Sequence, residues 1–87
     1  MNEYKTNSLN IATVLLTQGI KLKRVEGGRE KYFIFQDTED RPRIIQDFIN
    51  RELKVNVNDF LNNQKNLRSL IFSYSKYKYK YKYKGRV

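Results

Sequence analysis

The sequence contains no cysteine and no histidine. The first absence removes disulfides, thiolate nucleophiles and cysteine-ligated metals, and it suits a reducing compartment. The second removes the commonest general base and the commonest metal ligand. Most hydrolase and metalloenzyme readings fall with them. Apolar residues are also scarce, at 39% against the ~45–50% of ordinary globular domains. No apolar run approaches the roughly 20 residues that span a bilayer, and the polar stretch 1–8 is unlike a signal peptide. These absences lead to the expectation of a cytoplasmic protein that is not an enzyme and uses neither cofactor nor metal.

What the sequence does have is positive charge. There are 18 Lys and Arg against 9 Asp and Glu, a formal +9 in 87 residues. From Tyr74 to Val87 there are five Lys and one Arg and no acid, so +6 lies there and the remaining +3 is spread over residues 1–73. The length allows one domain, which buries only about 60% of its unfolded surface, so a partner or a homodimer could support its core. The division is a small domain over residues 1–74 and a Lys-Tyr tail over residues 75–87.

Within the domain, Leu9, Ala12, Leu15 and Leu16 recur at helical spacing behind Ser8 as N-cap, and Gly19 with Ile20 supplies a C-terminal cap. The β-branched Ile11, Thr13 and Val14 oppose that helix. Residues 20–26 and 31–36 flank Gly27-Gly28, a pair that can take positive φ and so signals a hairpin. Phe33 and Phe35 share one face, Tyr32 and Ile34 the other; Lys21 and Lys23 are set opposite Ile20 and Leu22. Residues 37–42 read as a turn opening a second helix, with Pro42 in its first turn and Ile44, Ile45, Phe48, Ile49 and Leu53 as one apolar stripe. Asn56 or Asn58 caps a third helix whose face carries Phe60, Leu61, Gln64, Leu67, Leu70, Ile71 and Tyr74. The expected fold is α+β, in the order α-β-β-α-α, a two-stranded antiparallel hairpin covered by helices plus an extended basic C-terminal tail.

The tail alternates Lys76, Lys78, Lys80, Lys82 and Lys84 with Tyr77, Tyr79, Tyr81 and Tyr83. A period of two sorts residue types only in an extended chain, here into a lysine edge and a tyrosine edge. Lysines two residues apart are then about 6.6–6.8 Å apart, the order of a phosphate spacing. Tyrosine rings offer stacking surfaces for any base, at roughly 1–3 kcal/mol each. With Arg86, this pattern suits nonspecific binding of single-stranded DNA or RNA. Two other readings stand beside it: a solvated tail that is disordered when free, and a strand packed on this chain or a partner. Nine asparagines, with the enrichment in Lys, Ile and Tyr, are the composition expected of a low-GC genome, and such an origin would attribute part of the repeat to codon bias.

Lys21, Lys23, Arg24, Arg29 and Lys31 bring five cations to the hairpin, offset by Glu26 and Glu30. They are either an ordinary solvated sheet face or the folded part of a basic surface that the tail extends. Asp37, Glu39 and Asp40 are the one acid cluster, placed to cap a helix rather than to hold Mg²⁺. Gly27-Gly28 lacks the following helix and Lys-Ser/Thr of a phosphate loop.

Tyr4-Lys5-Thr6, Gly19-Ile20-Lys21-Leu22, Tyr32-Phe33-Ile34-Phe35-Gln36-Asp37, Val55-Asn56-Val57 and Leu67-Arg68-Ser69-Leu70-Ile71 together resemble a domain-of-unknown-function family of short proteins from bacteria, phages and mobile elements. The resemblance covers residues 4–73 and excludes the tail. It implies a phage or mobile-element setting and no activity, because these positions form a fold and not a catalytic signature.

The leading expectation is a non-enzymatic binding protein that contacts nucleic acid or a nucleoprotein complex through the basic hairpin and the tail. The rival is an anti-CRISPR-type, anti-defence protein that binds an acidic surface of a host nuclease directly. A weaker third is contact with an anionic membrane surface, which clustered Lys and interfacial Tyr would favour.

Overall fold

A computed structural model of the chain describes residues 2–84, with side chains through Ser75. Its elements are β1 (Glu3–Thr6), α1 (Leu9–Thr17), β2 (Leu22–Glu26), β3 (Tyr32–Gln36), α2 (Arg41–Ile49) and α3 (Val57–Lys84). The fold is α+β, with the expected order of helix, hairpin, helix and helix preceded by a strand that the sequence pattern does not announce.

Both ends of α1 follow from local chemistry. The Ser8 hydroxyl accepts from the Ile11 N–H at 3.1 Å, which satisfies one of the first-turn donors. At the other end Gly19 turns to φ +88°. The Gly19 N–H then donates to Leu16 O and the Ile20 N–H to Leu15 O, both at 3.0 Å, closing a Schellman motif with Ile20 buried beneath it. Ala12, Thr13, Val14 and Leu15 are all buried, so nearly the whole circumference of α1 is covered. That packing overrides the poor helix propensity of its β-branched residues, and the Thr13 hydroxyl donates to Leu9 O at 2.7 Å.

The sheet has three antiparallel strands in the order β1-β3-β2. The two-stranded hairpin therefore gains β1 on the outer edge of β3. Tyr4, Phe33, Phe35, Leu22 and Val25 fall on the helix side, where Phe33 and Phe35 join Ala12, Val14, Leu15, Ile20, Ile44 and Leu67 in one core. Burying a side chain such as Phe35 or Leu15 contributes about 1.5–3 kcal/mol.

Strict alternation from Leu22 would turn Arg24 into that core. An irregularity between Leu22 and Arg24 prevents it: Arg24 pairs with Ile34 and Val25 with Phe33. The bulge keeps Leu22 and Val25 inside and sends Arg24 out, so Lys21 and Lys23 are not a simple outward pair. The hairpin connection also differs from a two-residue turn. Residues 27–31 join the strands, and of the glycine pair only Gly27 takes a positive φ, +109°.

In α2, Ile44 is buried and Ile45 and Phe48 pack on the core, but Ile49 is 63% exposed. The helix stops there because Arg51 adopts φ 61°, so Leu53 reaches the core from the connection and not from a continuing stripe. The Asn56 side chain caps α3 by accepting from the Asp59 N–H at 3.0 Å. In α3 the inward positions are Phe60, Gln64, Leu67, Ile71 and Tyr74, spaced four, three, four and three. Leu61 and Leu70, expected on that face, sit about 80–100° off its centre and are 54% and 40% exposed.

The expectation of an extended tail differs from the backbone, which stays helical through Lys84. Lys is a good helix former and Tyr an acceptable one, a helix already nucleated adds residues easily, and no Gly or Pro interrupts before Gly85. The helix α3 therefore runs across the boundary between domain and tail.

Candidate functional site

The five hairpin cations do not act together. Arg24 is bound at both guanidinium ends, to Glu3 at 3.0 Å and to Glu26 at 2.8 Å. Lys23 reaches Glu3 at 2.9 Å, and Lys5 lies 3.8 Å from Glu26 and over the Tyr32 ring. This network spreads over the outer sheet face around Ile34, which is 1% exposed even though the helices are on the other side. Its cross-strand neighbours Lys5 and Arg24 have long aliphatic stems that cover it while their charges stay in water. Three cations against Glu3 and Glu26 leave this face at only +1. Glu3 is held at about 2 by hydrogen bonds from Arg24 and then Lys23, and Arg24 is shifted upward by the same contact. Lys21 is exposed at the far end of the hairpin from residues 27–31.

Arg29 and Lys31 have a different setting. They lie at an open cavity of about 410 Å³ at the loop end of the hairpin, with Arg68 of α3 as a third cation. Leu9, Phe33 and Ile71 supply its apolar lining. The one acid there, Glu30, accepts from Asn7 Nδ2 at 2.6 Å and from the Tyr32 hydroxyl at 3.0 Å. The second of these bonds raises the Tyr32 pKa. Among the described residues Glu30 makes no ion pair with the three cations, and the Arg29 and Arg68 side chains have no hydrogen-bonding or ionic partner. Lys31 donates to the Gly28 carbonyl.

Arg68 carried no signal in the sequence. It is 39 residues from Arg29 and meets it only because α3 docks along the core through Leu67 and Ile71. The Tyr74 hydroxyl fixes the end of that docking by donating to the Gly27 carbonyl at 2.9 Å. Polar contacts extend it along α1, from Asn63 to Thr17 at 3.0 Å and from Gln64 to Asn10 at 3.1 Å.

The acid cluster is occupied by neighbours. Asp37 binds Arg41 at 2.9 and 3.1 Å, which lowers its pKa, and the Arg41 guanidinium also lies 4.1 Å from the Tyr4 ring centroid. Asp40 accepts from the Thr38 hydroxyl at 2.6 Å and makes no side-chain cap on α2. No group of three acids spaced for a metal occurs among the described residues. The side chains of Lys76, Tyr77, Lys78, Tyr79, Lys80, Tyr81, Lys82, Tyr83 and Lys84, and Arg86 entirely, lie outside the described residues.

A second, apolar cavity of about 250 Å³ lies where Phe48, Leu53, Val55, Phe60 and Leu61 meet Val14. No helix among the described residues is long and apolar enough to cross a membrane.

Fold and site together define a small α+β protein with a cationic cavity beside a strongly basic C-terminal repeat. The chain belongs to the family described as Domain of unknown function (DUF5659), whose model matches residues 1–74. No curated protein and no solved structure matches it. The match ends at Tyr74, so the family portion holds the +3 domain and the +6 repeat lies beyond it. Residues quoted above for the family resemblance have structural work: Thr6 accepts from the Ser8 N–H, Tyr4 stacks on Arg41, Gly19 and Ile20 close α1, and Phe33, Phe35 and Leu67 fill the core.

Proposed function

We propose that the protein is a non-enzymatic, cytoplasmic nucleic-acid-binding protein from a phage or mobile-element setting. It contacts single-stranded DNA or RNA without sequence preference, chiefly through phosphate charge. The observation that carries this reading is the charge distribution: six cations and no acid follow Tyr74, whose hydroxyl is anchored on the hairpin loop that bears Arg29 and Lys31. A strand held by the repeat therefore has further cations within reach on the folded domain. Lys23 and Arg24, both neutralised on the sheet, contribute little. Charge attraction works in either backbone state, extended or helical.

The test is co-purification. Nucleic acid bound through phosphates gives a high ratio of absorbance at 260 nm to that at 280 nm, which falls after washing in high salt. A ratio unchanged by salt, at the value of the protein alone, contradicts the reading.

A second reading, a direct contact with a host defence enzyme, is favoured by apolar surface. Ile49, Val57 and Leu61 are 63%, 68% and 54% exposed, and Val57 and Leu61 line the apolar cavity. A pull-down from host lysate separates the two, because a protein partner survives nuclease treatment and a nucleic-acid bridge does not.

A further inference from the structure

Arg29, Lys31 and Arg68 bring three positive charges to one concave surface from the hairpin loop and from α3. Arg24, Arg41 and Arg43 each have a carboxylate within 4.0 Å, whereas Arg29 and Arg68 have no partner for their side chains among the described residues. Converging cations repel one another, and an anion seated among them turns that repulsion into attraction. The guanidinium fork matches two oxygens of a phosphate, and a terminal phosphate offers more charge to it than an internal diester.

The rest of the cavity narrows the class of anion. A bare phosphate has no use for an apolar floor, yet Leu9 and Ile71 supply one above the buried Phe33. The volume, about 410 Å³, falls within the roughly 300–1,000 Å³ of small-molecule sites. Glu30 is held by Asn7 and Tyr32, and each of its oxygens keeps a lone pair for a hydroxyl or amino group of the ligand.

We propose that this cavity binds one phosphate-bearing terminal nucleotide, with Arg29, Lys31 and Arg68 on the phosphate and Leu9 and Ile71 against the sugar and base. The proposal rests on the nucleic-acid reading above and adds to it a site in the folded domain that recognises the end of a strand. Tyr74, on the loop carbonyl of Gly27, sets the beginning of the basic repeat beside the same cavity. A strand end in the cavity leaves its following phosphates near the tail.

The experiment is an amide NMR titration of the full chain with adenosine monophosphate, adenosine and inorganic phosphate. A parallel affinity comparison uses one oligonucleotide with a 5′-phosphate, a 3′-phosphate or neither. Adenosine monophosphate is expected to shift resonances in residues 29–33 and 68–71, and adenosine or phosphate alone to shift them less. The Arg29→Ala/Arg68→Ala variant is expected to lose adenosine monophosphate binding by on the order of tenfold or more, as charge-assisted hydrogen bonds are removed. It is also expected to lose any preference for a phosphorylated end. Both arginines are exposed, so the unshifted remainder of the variant's spectrum reports that it is folded; Arg68→Lys keeps charge but not the fork and should fall between. Oligonucleotide binding with no adenosine monophosphate shifts at the cavity, or with equal shifts in the double variant, overturns the cavity site and leaves the tail reading intact. Cavity shifts with oligonucleotide binding unaffected by removal of the tail support the cavity site and overturn the tail reading instead.

Discussion

Arg24 and Glu3 form a bidentate ion pair, 3.0 Å at each contact, between two strands that do not hydrogen-bond to each other. The pair crosses the central strand β3 and closes the outer sheet face over Ile34. A carboxylate whose pKa is depressed on folding stabilises the fold above its unfolded value, and this stabilisation is lost as pH falls through the folded value. For Glu3 that window runs from its ordinary 4.5 down to about 2. Glu3→Gln should therefore flatten the fall of melting temperature between those pH values. Asp37 and Asp40, lowered by Arg41 and by the Thr38 hydroxyl, leave a residual slope. Because the pair is exposed, the difference should shrink in high salt. Identical pH profiles for the two proteins would contradict the assignment.

Ile34 is a core residue on the side of the sheet that has no helices. An ordinary solvated face would tolerate its truncation. Its burial, at 1% exposure, predicts instead that Ile34→Ala destabilises by about 2–5 kcal/mol, as truncations in a packed core do. Urea unfolding measures this directly, with Leu70→Ala as an exposed control expected to cost far less.

The two loop glycines should respond differently to substitution. A Cβ on Gly27, already at φ +109°, would meet the Glu30 carbonyl oxygen, so the loop must rearrange. Gly27→Ala should destabilise by more than the ~1 kcal/mol of a simple backbone-entropy change. Gly28 takes no positive φ, so Gly28→Ala lacks that backbone strain and should cost less than Gly27→Ala. Thermal unfolding of the two variants side by side checks the contrast.

The readability of this fold in its sequence follows the range of the interactions. The ends of α1 are legible because Ser8, Gly19 and Ile20 act within a few residues of where they stand. The two faces of β3 are legible because Phe33 and Phe35 alternate with Tyr32 and Ile34. Strand β1 is not, since Glu3-Tyr4-Lys5-Thr6 is short and polar and becomes a strand by pairing with residues 33–36 and through Tyr4 on Arg41. The bulge at Lys23 is invisible to simple alternation, and it turns Arg24 to the outer face, where it joins Lys23 on Glu3. Arg68 is hidden for a similar reason, as only the docking of α3 brings it to Arg29. The repeat points the other way: its period of two predicts a strand, while the helix that precedes it continues through Lys84.

The most direct test of the nucleic-acid account is fluorescence anisotropy of a labelled single-stranded oligonucleotide, measured across a salt series with the full chain and with a chain ending at Ser75. The account predicts that log affinity falls linearly with log salt, at about −0.7 per phosphate neutralised. Removing the six tail cations should make the slope shallower by up to about 4 and weaken binding at low salt. Salt-insensitive binding, or the same affinity and slope without residues 76–87, would contradict it.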